Sequence, residues 1–215
     1  MNSRRVLSNF VFAALVIPTG DLSLWKVESF SHSKRNEVSF SEKGLLIKVR
    51  SSAGPIFYPL KTKVKVRGFK VTGSFNGLPK FQDPIRQGEK GYDDFPLRIG
   101  LVVPGEKRLS RVKKMFASDW VKRIYDQIPN GTGLDHVQFF NVSQSRALLG
   151  KSRTHPSSDL LREEFFVLAE HSGPFEYDYQ FKEPIEAIAL WISVDGDDTK
   201  SDFDVLISGL SLSTE

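Results

Sequence analysis

Phe95, Leu97, Ile99, Leu101 and Val103 occupy every second position of one stretch, and this spacing constrains the fold more than any other feature of the chain. A period of two puts these five side chains on one side of an extended strand, where a helix would scatter them around its circumference. Similar apolar runs recur at 22–30, 37–40, 44–50, 55–60, 61–75, 134–142, 164–169, 175–181, 185–194 and 203–212, separated by Gly, Pro, Asn and Asp. Gly68 and Gly73 interrupt the 61–75 run and predict a bulge or corner there. The abundance of Phe (17, against 2 Met) suits a sheet core. The expected fold is mainly β: a two-sheet antiparallel jelly-roll-like sandwich with one inserted amphipathic helix.

That helix is expected over 108–128, closed by Pro129-Asn130-Gly131. Leu109, Val112, Phe116, Trp120 and Ile124 recur at three- and four-residue spacing and give one apolar stripe. Lys107, Arg108, Arg111, Lys113, Lys114, Lys122 and Arg123 fill the remainder. Such a basic face reads either as a solvated surface or as a contact for an anionic polymer or lipid surface.

The first twenty residues read as a leader. Arg4 and Arg5 precede the apolar run 6–17, which is too short to span a hydrocarbon core of about 30 Å as a helix. The layout predicts a signal peptide over 1–20 and a single domain over 21–215, periplasmic or secreted in a bacterium; the same run also reads as a buried first strand. Setting 1–20 aside lowers the formal net charge from +4 to +2. A nearly neutral mature chain disfavours nucleic acid as a partner. Any membrane contact is expected only through the leader or the basic helix. With no Cys, the chain has no disulfide framework, thiolate metal site or cysteine nucleophile.

Three patterns carry candidate chemistry. In the first, Asp94 and Arg98 take the face opposite the Phe95 series, and Trp191 and Ser193 take the matching face of 185–194, with Asp195 at its end. If these strands are neighbours, Asp94, Arg98, Trp191 and Asp195 form a charged surface beside an aromatic ring. Sugar-binding sites use that combination, and a structural Asp94–Arg98 pair would use the same residues. The second pattern is the acidic loop 195–204, in which Asp195, Asp197 and Asp198 offer oxygen ligands for a structural calcium ion; an acidic turn explains them equally. The third is the alternation of Lys61, Lys63, Lys65 and Arg67, a strip that could meet an anionic partner or guard a sheet edge. Phe175, Tyr177, Tyr179 and Phe181 alternate as well and read as a core face, or else as a ladder on which sugars or bases could stack.

No metal-binding spacing links His32, His136, His155 and His171, and there is no phosphate-binding loop or G-x-S-x-G elbow. Paired carboxylates for glycoside hydrolysis could be drawn from Asp93, Asp94, Glu163 and Glu164.

The motif order resembles a family of exported bacterial proteins known as domain of unknown function 3047. The resemblance rests on Trp25, Phe30 and Val38, on Gly91-Tyr92-Asp93-Asp94-Phe95 with Arg98-Ile99-Gly100-Leu101-Val102, and on 187–196. Ser193 stands where that family's pattern has the first Asp of D-T-D, and Ile207-Ser208-Gly209-Leu210-Ser211 keeps only the Gly of its closing motif. The resemblance implies an exported, jelly-roll-like sandwich similar to carbohydrate-binding modules and implies no activity. The function expected from all of this is binding of a carbohydrate or cell-envelope polymer outside the cytoplasm, without catalysis. A glycan hydrolase and an envelope assembly protein with an anionic partner are the alternatives.

Overall fold

The computed structural model describes residues 13–30, 33–106, 121–122, 125 and 133–215. The chain is mainly β. Its strands are β1 (Ala13–Val16), β2 (Lys26–Val27), β3 (Glu37–Ser41), β4 (Gly44–Arg50), β5 (Pro55–Asn76), β6 (Leu97–Gly105), β7 (Gly133–Ser143), β8 (Ser152–Thr154), β9 (Leu161–Leu168), β10 (Gly173–Ser193) and β11 (Asp202–Thr214). The helix expected over 108–128 falls almost wholly outside the described residues; Val121, Lys122 and Tyr125 are described and have helical backbone. Elsewhere the described helical pieces are two short 3-10 turns, Leu22–Leu24 and Pro84–Arg86. None of the described helices is long and apolar enough to cross a membrane.

The expectation of two separate sheets is corrected. All eleven described strands belong to one hydrogen-bonded sheet in the order β3-β4-β11-β5-β10-β6-β7-β9-β8, with β1 on β11 and β2 on β5. The pairing is antiparallel except between β7 and β9, which run parallel. A sandwich-like interior arises because the two longest strands turn a corner together. On β10, Gln180 pairs with Gly68 and Ile185 with Val66, so 181–184 stand opposite Arg67 alone. Pro184 in that bulge has no N–H to give to the ladder. At Gly68 a Cβ would lie 2.4 Å from the carbonyl oxygen of Tyr179, so the corner requires glycine.

The extent of the fold-back is read from Phe140. It pairs with Ile99 on β6, which pairs with Ile192 on β10, which pairs with Ile56 on β5. Phe69 lies thirteen residues beyond Ile56 along β5, about 43 Å were the strand straight. Yet the Phe69 and Phe140 rings are 5.5 Å apart, and Phe181 stacks on Phe140 at 4.5 Å. The sheet therefore closes over its own inner face. The core holds Ile47, Val49, Val71, Ile99, Leu101, Leu190 and Ile207, and the ladder of Phe175, Tyr177, Tyr179 and Phe181 packs against it as a core face.

A smaller apolar layer lies on the other side of β6, β7 and β10: Phe57, Val102, Val137, Phe139, Ala189 and Trp191. Residues 13–17, placed before a cut by the leader reading, take part in the fold. β1 pairs with 211–214 of β11, Ile17 is fully buried, and the carbonyl of Pro18 accepts the Trp25 indole N–H at 2.7 Å. A cut after Gly20 would remove all of these contacts.

Phe140→Ala should cost about 3–5 kcal/mol, because its ring joins the two halves of the folded sheet and leaves a cavity that neither can fill. A urea midpoint shifted by less than about 1 kcal/mol equivalent would show that the fold-back does not depend on this contact.

Candidate functional site

The site lies on the outer side of the β10–β6–β7 segment. Arg98 on β6 pairs with Ser193 on β10 and with Asn141 on β7; in the next row Trp191, Gly100 and Phe139 are aligned. Gly100 permits this arrangement, since a Cβ there would sit 2.7 Å from the Phe139 ring and 3.2 Å from Trp191 Cβ. The two rings meet edge to face at 5.0 Å. The parallel β7–β9 pair adds Glu163 next to Phe139.

Arg98 is the centre. Its side chain is 7% exposed and meets three carboxylates: Asp93 Oδ2 at 3.1 Å, Glu163 Oε1 at 3.1 Å and Asp195 Oδ2 at 2.9 Å. Its guanidinium lies 4.2 Å above the Phe95 ring, and Phe95 stacks on Phe165 at 5.7 Å. Arg153 lies 5.3 Å over Phe165 and binds Glu163 Oε2 at 2.7 Å, with Asp93 Oδ1 at 3.6 Å. Glu163, with no side-chain exposure, is saturated by Arg98, Arg153 and the Asn141 amide at 2.8 Å. Two guanidiniums on an aromatic bed thus hold three acids. The balance is one negative charge in excess.

That excess falls on Asp195. Its contact with Arg98 Nε is close but lacks hydrogen-bond alignment, and its other oxygen accepts the Ser193 hydroxyl at 2.7 Å. Burial raises its carboxyl to about 7, and Arg98, shared three ways, offsets this only in part. Burial also pushes Asp93 upward, but the Arg98 charge and the His155 hydrogen bond outweigh it and hold Asp93 at about 2. Burial alone would lower Arg98; the charges of Asp93, Asp195 and Glu163 raise it instead.

Above this floor opens a cleft of about 570 Å³, walled by Phe30, Phe139 and Trp191 and floored by Asp93, Arg98, Ser193 and Asp195. The 88–91 turn and 155–157 line its mouth. Arg153 Nη1 anchors that turn by donating to the carbonyl of Gly88 at 2.8 Å.

Of the four residues predicted for ligand contact, Arg98, Trp191 and Asp195 converge here, and Asp94 does not. Asp94 accepts from the Asp198 and Thr199 backbone N–H groups and from the Thr199 hydroxyl, stapling the acidic loop. The physical reason is Pro96: β6 begins at Leu97, so strand alternation does not extend back to Asp94. Trp191 is a wall rather than an open stacking surface, being 3% exposed and 4.9 Å from Phe57.

The calcium set is not assembled either. Asp195 faces Arg98 and Ser193, while Asp198 Oδ2 accepts the Asp93 backbone N–H at 3.0 Å. Among the described residues, the acids and histidine close enough to share an ion are Asp93, His155 and Glu163. The hydrolase pairing from Asp93, Asp94, Glu163 and Glu164 also fails. Asp94 serves the loop, Glu164 accepts the Tyr179 hydroxyl, and Asp93 and Glu163 bind one guanidinium rather than facing each other across a gap. On the basic strip, Lys63 pairs with Glu186 at 3.0 Å, and Lys65 and Arg67 both pair with Glu215, so two carboxylates offset half of its four charges.

Sequence reasoning does not reach His155, Arg153, Asn141 or Gln87. Gln87, 2% exposed, donates to the Asp94 carbonyl and accepts from the Ser143 hydroxyl and the Gln144 and Ser145 N–H groups. Of these four, only Asn141 carries a signal, its position on the same strand face as Phe139.

No family model and no curated protein matches the chain. Among solved structures it is similar to the xylan-binding module CBM15, at 7% identity and a TM-score of 0.40, over 94% of this chain and 97% of that one. It is also similar to the VIP36 exoplasmic/lumenal domain in its Ca²⁺/Man2-bound form, at 12% identity and a TM-score of 0.39, over 94% and 87%. Identities and TM-scores this low carry no ligand across. The fold and site define a mainly β protein with an aromatic-walled, charge-floored cleft.

Arg98→Met should cost about 3–5 kcal/mol, since buried Glu163 and Asp195 and half-buried Asp93 lose their common partner; an unchanged urea midpoint would show that the network is dispensable. The pH dependence carries two opposite signs. Asp93 contributes stability that is complete above about pH 4 and is lost as the pH falls towards 2. Asp195 holds its proton in the fold up to about pH 7 but releases it near 3.8 when unfolded, so its contribution declines as the pH rises from about 4 to 7. Wild-type midpoints should drop from about pH 5 to about pH 8, and Asp195→Asn should flatten that drop.

Proposed function

We propose that the chain binds a carbohydrate in the cleft above Arg98, acting in the periplasm or as a secreted protein. The observation that carries this reading is the convergence of Asp93, Arg98, His155, Ser193 and Asp195 with Phe30, Phe139 and Trp191 on one cleft. Each sugar hydroxyl both donates and accepts, and each ring also has apolar C–H faces. A site for it needs mixed polar groups beside aromatic carbon. Asp93 is an acceptor, and Asp195, which holds its proton up to about pH 7, can donate as well as accept, while His155, Ser157 and Ser193 bring further polar atoms.

The charge of the lining favours a neutral sugar over an acidic polymer. Glu89, Asp93, Asp197 and Asp198 outnumber Lys90 and Arg98 even with Asp195 protonated, and Arg98 is already committed to the surrounding carboxyl groups. An acidic glycan would meet excess negative charge. The location rests on the basic and apolar layout of the first twenty residues, read as a segment retained after export because 13–18 pack in the fold.

The test is a glycan array followed by calorimetry on neutral and acidic oligosaccharides. A neutral oligosaccharide should bind, and Phe30→Ala should weaken it about tenfold, equivalent to ~1.4 kcal/mol. Absence of any glycan binder, or binding indifferent to both Phe30→Ala and Trp191→Ala, would overturn the assignment.

A further inference from the structure

We propose that Ser157, His155 and Asp93 form a nucleophilic relay at the mouth of the cleft, and that it hydrolyses an acyl ester carried by the bound sugar. The sugar half of this statement rests on the carbohydrate reading; the relay rests on geometry alone. Ser157 Oγ lies 2.8 Å from His155 Nδ1, and His155 Nε2 lies 2.9 Å from Asp93 Oδ2. All three residues line the cleft, and Ser157 is exposed at its opening.

The hydrogen bonds assign the histidine tautomer. The Ser157 backbone N–H donates to Nδ1 at 3.1 Å, and a backbone N–H can only donate. Nδ1 therefore carries the lone pair, and the ring proton sits on Nε2, aimed at Asp93. The basic nitrogen faces the serine hydroxyl, and the carboxylate orients the opposite edge, which is the division of roles in a serine–histidine–acid relay. Asp93 keeps its charge because Arg98 binds the same oxygen that accepts the Nε2–H hydrogen bond. The same tautomer argues against a cation held by Asp93, His155 and Glu163. Nε2 would have to give up its proton, and both Glu163 oxygens are taken by Arg98, Asn141 and Arg153.

In the reaction, Ser157 Oγ attacks the ester carbonyl carbon and its proton passes to His155 Nδ1, whose lone pair the Ser157 backbone N–H had shared and releases as the proton arrives. The resulting imidazolium is stabilised by Asp93 through Nε2–H. The tetrahedral adduct collapses, the bond between carbonyl carbon and sugar oxygen breaks, and the sugar oxygen takes the proton from Nδ1. Water then attacks the acyl–Ser157 ester, giving its proton to Nδ1, and the second adduct expels Ser157 Oγ, which recovers that proton. Ester and water become carboxylic acid and free sugar hydroxyl. Lys90 lines the same cleft and is the lysine among its lining residues.

The experiment uses the full chain with p-nitrophenyl acetate, an O-acetylated neutral xylooligosaccharide, and a fluorophosphonate probe mapped by peptide mass spectrometry. Ester turnover is expected, with Ser157→Ala and His155→Ala each lowering kcat/KM at least about 100-fold. The double variant should be no worse than the poorer single, as befits groups acting as one unit. The probe should label Ser157, and His155→Ala should abolish the label. Ser157 is exposed, so Ser157→Ala keeps its fold, which near-ultraviolet circular dichroism verifies. Glycan binding without Ser157-dependent turnover overturns the relay and leaves the carbohydrate reading intact. Ser157-dependent turnover of p-nitrophenyl acetate without any glycan binding supports the relay and overturns the carbohydrate reading. Turnover unchanged in Ser157→Ala overturns the relay outright.

Discussion

A guanidinium taken out of water must find its hydrogen-bond partners inside the protein, and Arg98 finds them in three separate parts of the chain. Asp93 comes from the loop before β6, Glu163 from β9, and Asp195 from the end of β10. Fixing one side chain therefore fixes the relative positions of three segments distant in sequence. Networks of this kind cost much in lost hydration, and their net contribution to stability can be small. Their effect is to specify one arrangement: any other register of β6 against β10 would leave charges buried without partners. Phe95 and Phe165 complete the arrangement from below, offering their ring faces to Arg98 and Arg153.

The two sides of the same sheet segment do different work. Leu97, Ile99 and Leu101 point into the closed interior, while Arg98, Gly100 and Val102 point to the outer layer and the cleft. Alternation along a strand lets one stretch of sequence carry both a packing surface and a chemical one. The inner side is held by rings from the far half of β5 and β10, so the position of the cleft floor is coupled to the corner at Gly68.

This alternation is also why part of the site is legible in the sequence. Period two along 95–103 and 185–194 places Arg98, Trp191 and Ser193 on one side, and β6 and β10 are neighbours, as that reading requires. The count fails at Asp94 and Phe95, because extending it back through Pro96 carries it into backbone that is not strand, and Phe95 lies under the Arg98 guanidinium instead of joining Leu97, Ile99 and Leu101 in the core. The aromatic run 175–181 reads as a core face because its opposite side is polar, and it packs as one. The rest depends on contacts between remote segments. Arg153 and His155 reach the site through the β8–β9 hairpin and the parallel β7–β9 pairing, and nothing local in 151–157 signals either. The single continuous sheet is hidden for a related reason: 55–60 and 61–75 look like two strands, as do 175–181 and 185–194, because the corner that bends each strand does not break it.

The position of β11 bears on when this protein can fold. It lies between β4 and β5 in the sheet order, although it is the last of the described strands to be synthesised. Until it emerges, β4 and the 68–76 half of β5 both lack a central neighbour, and they must wait through the whole stretch from Asn76 to Asp202. β1, the earliest described strand, waits longer still, since its partner among the described strands is the end of β11. Before β11 is made, β5, β10, β6, β7, β9 and β8 can pair among themselves and carry the cleft floor, whereas β4, with β3 beside it, and β1 have no route into the sheet. The half of the sheet that holds the site is thus topologically independent of the strand that joins the other half to it.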